Sequence, residues 1–178
     1  MTVLRTSFAL ACLALLPAAA TTLERLSVDQ MIQKSTSVVR VKVQYSRTDM
    51  IGRSIYTLYR VQVSDRWKGS GQSSMEIAVP GGEWNGYRQT VPGAPRMNIG
   101  QEYVVFVWTA ANGVNHTIGM SQGILEVRIG PNGETLLVRG RTDVDIVNSQ
   151  GKPVDDSAVQ ITLTDLLTRL GVNGGAKK

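Results

Sequence analysis

Val39-Arg40-Val41-Lys42-Val43-Gln44, and a little further on Ile55-Tyr56-Thr57-Leu58-Tyr59-Arg60-Val61-Gln62-Val63, decide the fold. In the first run apolar and polar side chains strictly alternate. In the second, Ile55, Thr57, Tyr59, Val61 and Val63 share one side, with Tyr56, Leu58, Arg60 and Gln62 on the other. A strand sends successive side chains to opposite faces, so a period of two marks a half-buried β-strand. The stretch from Asp49 to Arg53, with Gly52, supplies a hairpin connection between the two runs. Trp67-Lys68-Gly69 closes the second strand, and Met75 to Val79 makes a third that stops at Pro80, which has no N–H for a ladder. Glu102 to Thr109 differs, being apolar on both sides through Tyr103, Val105 and Val107 against Val104, Phe106 and Trp108. Only a strand covered on both faces reads that way, which places it at the centre.

Working outward, Asn112-Gly113 turns the chain into short strands around His116 to Gly119 and Ile124 to Ile129. Gly130-Pro131-Asn132-Gly133 then turns it into Thr135 to Arg139, at the spacing of an antiparallel meander. Towards the start, Ser27-Val28-Asp29-Gln30 has the form of a capping box and predicts a short N-terminal helix of about ten residues. Towards the end, Asp156-Ser157 can cap a C-terminal helix bearing Leu163, Leu166, Leu167 and Leu170 and stopped by Gly171. The expected class is mainly β, antiparallel, with one helix near each end.

Residues 1 to 20 have the pattern of an export leader. Arg5 is their single charge, Ser7 to Leu16 are apolar or small, Pro17 breaks the run, and Ala18-Ala19-Ala20 offers the small residues a signal peptidase accepts. The apolar run is too short for a membrane span of about 20 residues, so no transmembrane segment is expected after cleavage. The expected organisation is a signal peptide over 1–20, one β-rich domain over 21–170 and a flexible tail over 171–178. Cys12, inside the apolar run, is the only cysteine. A chain beginning at Thr21 has no disulfide and must fold on buried apolar surface alone. The expected localisation is therefore exported, periplasmic or secreted. Without Arg5 there are 18 Lys and Arg against 14 Asp and Glu, a mildly basic balance scattered along the chain. An exported chain with no basic run is not built for nucleic acid, though weak attraction to anionic envelope surfaces is permitted.

Gly119-Met120-Ser121-Gln122-Gly123 matches the G-x-S-x-G pattern of a hydrolase elbow. The context differs, because a strand rather than a helix is expected after Gly123 and the only histidine, His116, precedes the serine. A glycine-flanked turn is the plainer reading. One histidine and no cysteine in the mature chain leave too few ligands for a zinc site. Asp143, Asp145, Asp155 and Asp156 could form a weak calcium site, but their spacing is that of a solvated acidic edge. Glu83 and Glu102 as a hydrolytic pair have nothing in the sequence to set their separation. No catalytic residue, metal site or cofactor is therefore assigned.

The most individual stretch runs from Pro80 to Gly100: Pro-Gly-Gly-Glu-Trp-Asn-Gly-Tyr-Arg-Gln-Thr-Val-Pro-Gly-Ala-Pro-Arg-Met-Asn-Ile-Gly. Its glycines and prolines fix unusual backbone geometry, and Trp84, Tyr87, Arg88 and Arg96 are residue types favoured at binding surfaces. The alternative is that Trp84 and Tyr87 simply close one end of a barrel.

Leu26-Ser27-Val28-Asp29, Trp67-Lys68-Gly69, Val79-Pro80-Gly81-Gly82, Gly93-Ala94-Pro95, Gly100-Gln101-Glu102-Tyr103 and Gln122-Gly123 occur in an order that resembles a family of uncharacterised exported bacterial proteins, over roughly residues 24 to 130. That resemblance brings no activity. The sequence of elements is also similar to small barrels of the oligonucleotide/oligosaccharide-binding (OB) class, including netrin-like modules and the tissue inhibitors of metalloproteinases. It implies a small antiparallel barrel, closed or partly open. Those inhibitors present a disulfide-held N-terminal cysteine to the protease metal, whereas Thr21-Thr22 offers none. The expectation is a non-enzymatic exported binding module that contacts a protein or glycan through the 80–100 segment. The rivals are an envelope-associated structural protein held by its basic surface and, behind it, a small hydrolase using Ser121.

Overall fold

The computed structural model describes residues 22–172. The expected leader, with Cys12, lies outside the described residues, as does the tail beyond residue 172. With one cysteine in the whole chain, no intrachain disulfide exists. No helix among the described residues is long and apolar enough to cross a membrane.

The fold is mainly β with two helices, arranged around an antiparallel sheet. Strand β1 (Thr22–Glu24) leads into α1 (Val28–Lys34). The capping box is present at α1: the Ser27 hydroxyl accepts from the Gln30 amide, and the Gln30 side chain accepts from the Ser27 N–H. Two long strands follow, β2 (Ser37–Ile51) and β3 (Ser54–Lys68), and then β4 (Ser74–Pro80), ended by its proline as expected. The 80–100 segment contains a small hairpin, β5 (Gly82–Trp84) and β6 (Tyr87–Gln89). Next come β7 (Glu102–Thr109), β8 (Asn115–Thr117), a 3-10 turn (Met120–Gly123), β9 (Ile124–Ile129) and β10 (Thr135–Arg139). The chain closes with β11 (Asp145–Val147), β12 (Val159–Thr162) and α2 (Leu163–Arg169).

Helix α2 begins later than the sequence suggested. Thr162 is its N-cap, accepting from the Asp165 amide, and the residues after Asp156-Ser157 instead form β12 against β10. Asp156 is drawn away by Arg139, with which it forms an ion pair at 2.9 Å.

Two meanders make the main sheet, β2-β3-β4 and β7-β9-β10, joined by antiparallel pairing of β2 with β7. Strand β12 flanks β10, and β8 pairs with the end of β7. Register shifts occur in β2 at Val38/Val39, Arg40/Val41 and Val43/Tyr45. Such bulges bend a strand and increase its twist, so they curl the long β2-β3 hairpin. The curl brings β4 alongside β8, where the Asn115 side-chain amide donates to the Glu76 carbonyl at 3.0 Å. No backbone ladder joins β4 to β8 among the described residues.

Both faces of the sheet carry a core. On the concave side Val39, Val41, Val43, Tyr59, Val61, Ile77, Val79, Tyr103, Val105 and Val107 pack together with Met97 from the segment before β7. On the other side Val38, Val104, Phe106, Leu125 and Leu137 lie under Met31 of α1 and Leu166 of α2. Strand β7 supplies both, with Tyr103 to Val107 all buried, as its two-sided apolar pattern requires. Each such buried side chain stabilises the fold by about 1.5–3 kcal/mol relative to exposure.

Candidate functional site

The Pro80 to Gly100 segment divides into a projecting hairpin and a plug. Asn85 (φ 48°) and Gly86 (φ 81°) both have positive φ, as a two-residue hairpin turn requires. The hairpin docks on the far end of β2-β3: the Thr48 hydroxyl donates to the Glu83 carbonyl and the Thr57 hydroxyl to the Gly81 carbonyl. The β2 bulge at Val43/Tyr45 changes which residues face inward, so that Thr48 and Thr57 come opposite each other for this contact. Gly82 fits between them, because a Cβ there would lie 2.6 Å from Thr48 Cγ2 and 2.8 Å from Thr57 Oγ1.

The plug follows. Ala94 N–H bonds back to the Val91 carbonyl across Pro92-Gly93, with Gly93 at φ 75°. Gly93 is held at both ends, its N–H by the Asp143 carboxylate at 3.0 Å and its carbonyl by the Ser121 N–H at 3.0 Å. Beyond it, Met97 enters the concave core, and two buried phenols receive the backbone: Tyr59 accepts from Met97 N–H at 3.5 Å and Tyr103 from Asn98 N–H at 3.0 Å. Burial raises the Tyr103 phenol above its ordinary pKa, only partly offset by the Asn98 N–H.

The end of the curled sheet is therefore stoppered by Met97 and Ala94, to neither of which the sequence reading gave a role. Trp84 and Tyr87 belong to neither core. Tyr87 is 73% exposed and Trp84 half-buried. They sit opposite each other on the hairpin, while Glu83 opposes Arg88 with an ion pair at 2.9 Å. Side chains alternate along a strand, so the pair of aromatics and the ion pair occupy opposite hairpin faces.

Between the ion-paired face, the plug and the connection from β10 to β11 lies an open cleft of about 650 Å³. Arg88 and Arg96 line it; Trp84 and Tyr87 do not. The four candidate binding residues thus split, the two arginines going to the cleft and the two aromatics to the outer side. The cleft also gathers residues from distant sequence, Ser121, Arg141 and Asp143 among them. Ser121 Oγ is buried and has no hydrogen-bond partner among the described residues. The residue before it, Met120, has φ 60°, a backbone state uncommon outside glycine.

His116 does not line this cleft. Its ring stacks on Trp108 at 5.8 Å and meets Tyr56 at 5.9 Å. The acidic residues considered for calcium are dispersed: Asp143 serves Gly93, Asp155 pairs with Arg141, and Asp156 with Arg139. Glu83 and Glu102 are likewise engaged separately, with Arg88 and Arg40.

These features define a mainly β chain with an open, arginine-bearing cleft of mixed polar and apolar lining at the stoppered end of its sheet. No protein-family model matches the chain, and no curated protein matches it.

Proposed function

We propose that this chain is an exported, non-enzymatic binding module, built on a partly open barrel of the OB-like kind, whose contact surface is the cleft beside the 80–100 segment. One observation carries the reading. A recess of about 650 Å³ gathers Arg88, Arg96, Ser121 and Arg141 from four separate segments of the chain, and that size falls in the range of about 300–1,000 Å³ usual for ligand sites. The barrel description is supported by the concave core and by the β4-β8 seam, where the Asn115 side chain bonds to the Glu76 carbonyl and no ladder joins the strands among the described residues. Export is supported by the pattern of residues 1 to 20.

The test uses protein recovered after export, its N-terminus read by intact mass, with Thr21 the expected first residue. Host envelope and secreted fractions are cross-linked to wild type and to a Thr90→Trp/Arg96→Glu variant that obstructs the cleft. A partner or glycan captured by the wild type and lost in an equally folded variant supports the module. Identical salt-sensitive capture by both replaces it with an envelope protein held by its basic surface.

A further inference from the structure

We infer that Asn85, at the tip of the β5-β6 hairpin, is a site of spontaneous deamidation, and that the isoaspartate it yields unfastens the hairpin. The inference does not depend on what the cleft binds. When glycine follows asparagine, no side chain hinders the next backbone nitrogen from reaching the asparagine side-chain carbonyl. The described residues contain three such pairs, Asn85-Gly86, Asn112-Gly113 and Asn132-Gly133, and every residue in them is exposed. Sequence and accessibility therefore rank the three equally.

The fold separates them. The attacking atom is the glycine nitrogen, which must first give up its proton, and a hydrogen bond from that N–H to a carbonyl holds the proton in place. Gly113 N–H donates to the Ala110 carbonyl at 2.9 Å and Gly133 N–H to the Gly130 carbonyl at 3.0 Å. Each glycine is the last residue of a four-residue turn, where the closing bond falls. Asn112 is held further, its Oδ1 accepting from the Val114 N–H at 3.1 Å. In the hairpin the turn is Trp84-Asn85-Gly86-Tyr87, with Trp84 opposite Tyr87. Gly86 stands third in it, and its N–H has no backbone acceptor among the described residues. The tip is also the least anchored of the three turns. Strands β5 and β6 form a two-stranded sheet of their own, tied at the base through Thr48 and Thr57, whereas the other two turns join strands of the main sheet. A two-stranded hairpin is marginal by itself, so Asn85 is free to swing into the reacting geometry.

The Gly86 nitrogen, deprotonated by hydroxide, attacks Asn85 Cγ. The bond from Cγ to the side-chain nitrogen breaks, and that nitrogen takes a proton from water and leaves as ammonia. Water then opens the cyclic imide at either carbonyl. One product is aspartate, which keeps the backbone and suits the same turn. The other is isoaspartate, in which the main chain runs through Cβ and Cγ and so gains an atom. A two-residue turn cannot absorb that atom, and the register that sets Glu83 opposite Arg88 is lost with it.

The exported protein is incubated in mildly alkaline buffer, folded and, separately, unfolded in urea. Peptides spanning the three pairs are followed by mass spectrometry for replacement of the side-chain amide by a carboxyl, with the aspartate and isoaspartate forms separated by chromatography. In the folded protein Asn85 should convert about tenfold or more faster than Asn112 and Asn132, because those two must first break a turn hydrogen bond. In urea the three rates should converge. Asn85→Asp should keep the hydrogen-exchange protection of wild type over 82–89, while molecules carrying isoaspartate at 85 should lose it. Equal rates in the folded protein, faster conversion at Asn112 or Asn132, or a folded Asn85 as inert as those two overturns the assignment. The same ranking in urea as in the folded protein overturns the fold as its cause. Unchanged protection in the isoaspartate form overturns the unfastening.

Discussion

Asp156 shows how one side chain can hold several parts of the fold. It is a tenth exposed, pairs with Arg139 and accepts the Thr142 N–H. Burial alone would raise its carboxyl pKa, but the hydrogen bonds from Arg139 and Thr142 outweigh that and hold it below the ordinary carboxylate value. A depressed folded pKa means the unfolded chain takes up the proton first. The stabilisation is therefore complete above the unfolded carboxylate pKa of about 4 and disappears as pH falls through the lower folded value. Asp156→Asn leaves Arg139 buried without its counter-charge, and should lower stability at neutral pH by about 3–5 kcal/mol. Urea denaturation from pH 7 to pH 3 should show the gap between wild type and variant shrinking towards the acid end. Gln122, 1% exposed, is a second such residue. Its amide accepts from Leu26 N–H and donates to the Glu24 carbonyl, at 2.9 Å each, so one side chain substitutes for a strand partner. Nothing in the motif that contains Gln122 announces this, because the partner is backbone from the far end of the chain.

Elements were legible where their own period gave them away. Strands β2, β3, β4, β7 and β10 and helix α1 follow from alternation, from apolar runs or from the capping box, since those signals are local. The hairpin β5-β6 was hidden by the surrounding glycines and prolines, although Asn85-Gly86 between Trp84 and Tyr87 is a two-residue hairpin signal. Strand β12 and the late start of α2 were not legible, because Thr162 and Asp156 are both good caps and only the partner Arg139 decides between them. Of the site, Arg88 and Arg96 were readable from their segment; Ser121 and Arg141 reach the cleft only through the fold. The division of the 80–100 segment has a direct test. Met97→Ala should remove the stopper and cost about 2–5 kcal/mol, whereas Tyr87→Ala, on the exposed hairpin face, should stay within about 0.5 kcal/mol. Paired thermal melts of the two variants distinguish them, and equal losses would mean that the hairpin is part of the core.

At the scale of the whole molecule the two cores are not independent, because β7 is the wall between them. Val105 faces the concave core and Phe106 the helix-covered one. Val105→Ala should cost roughly 2 kcal/mol and Phe106→Ala roughly 3–5 kcal/mol. Calorimetry should nonetheless record a single transition for each, shifted as a whole; two separated transitions would show that the sheet faces melt apart. The pairing of β1 with β11, reinforced by Gln122 acting on Glu24 from 98 residues away, sets an order of events. Chains are made from the N-terminus, so the first described strand waits for nearly the last to emerge before it has anything to pair with. The beginning of this protein is the part that finishes late. Until then it is an open thread, and the closing of that strand ends the interval.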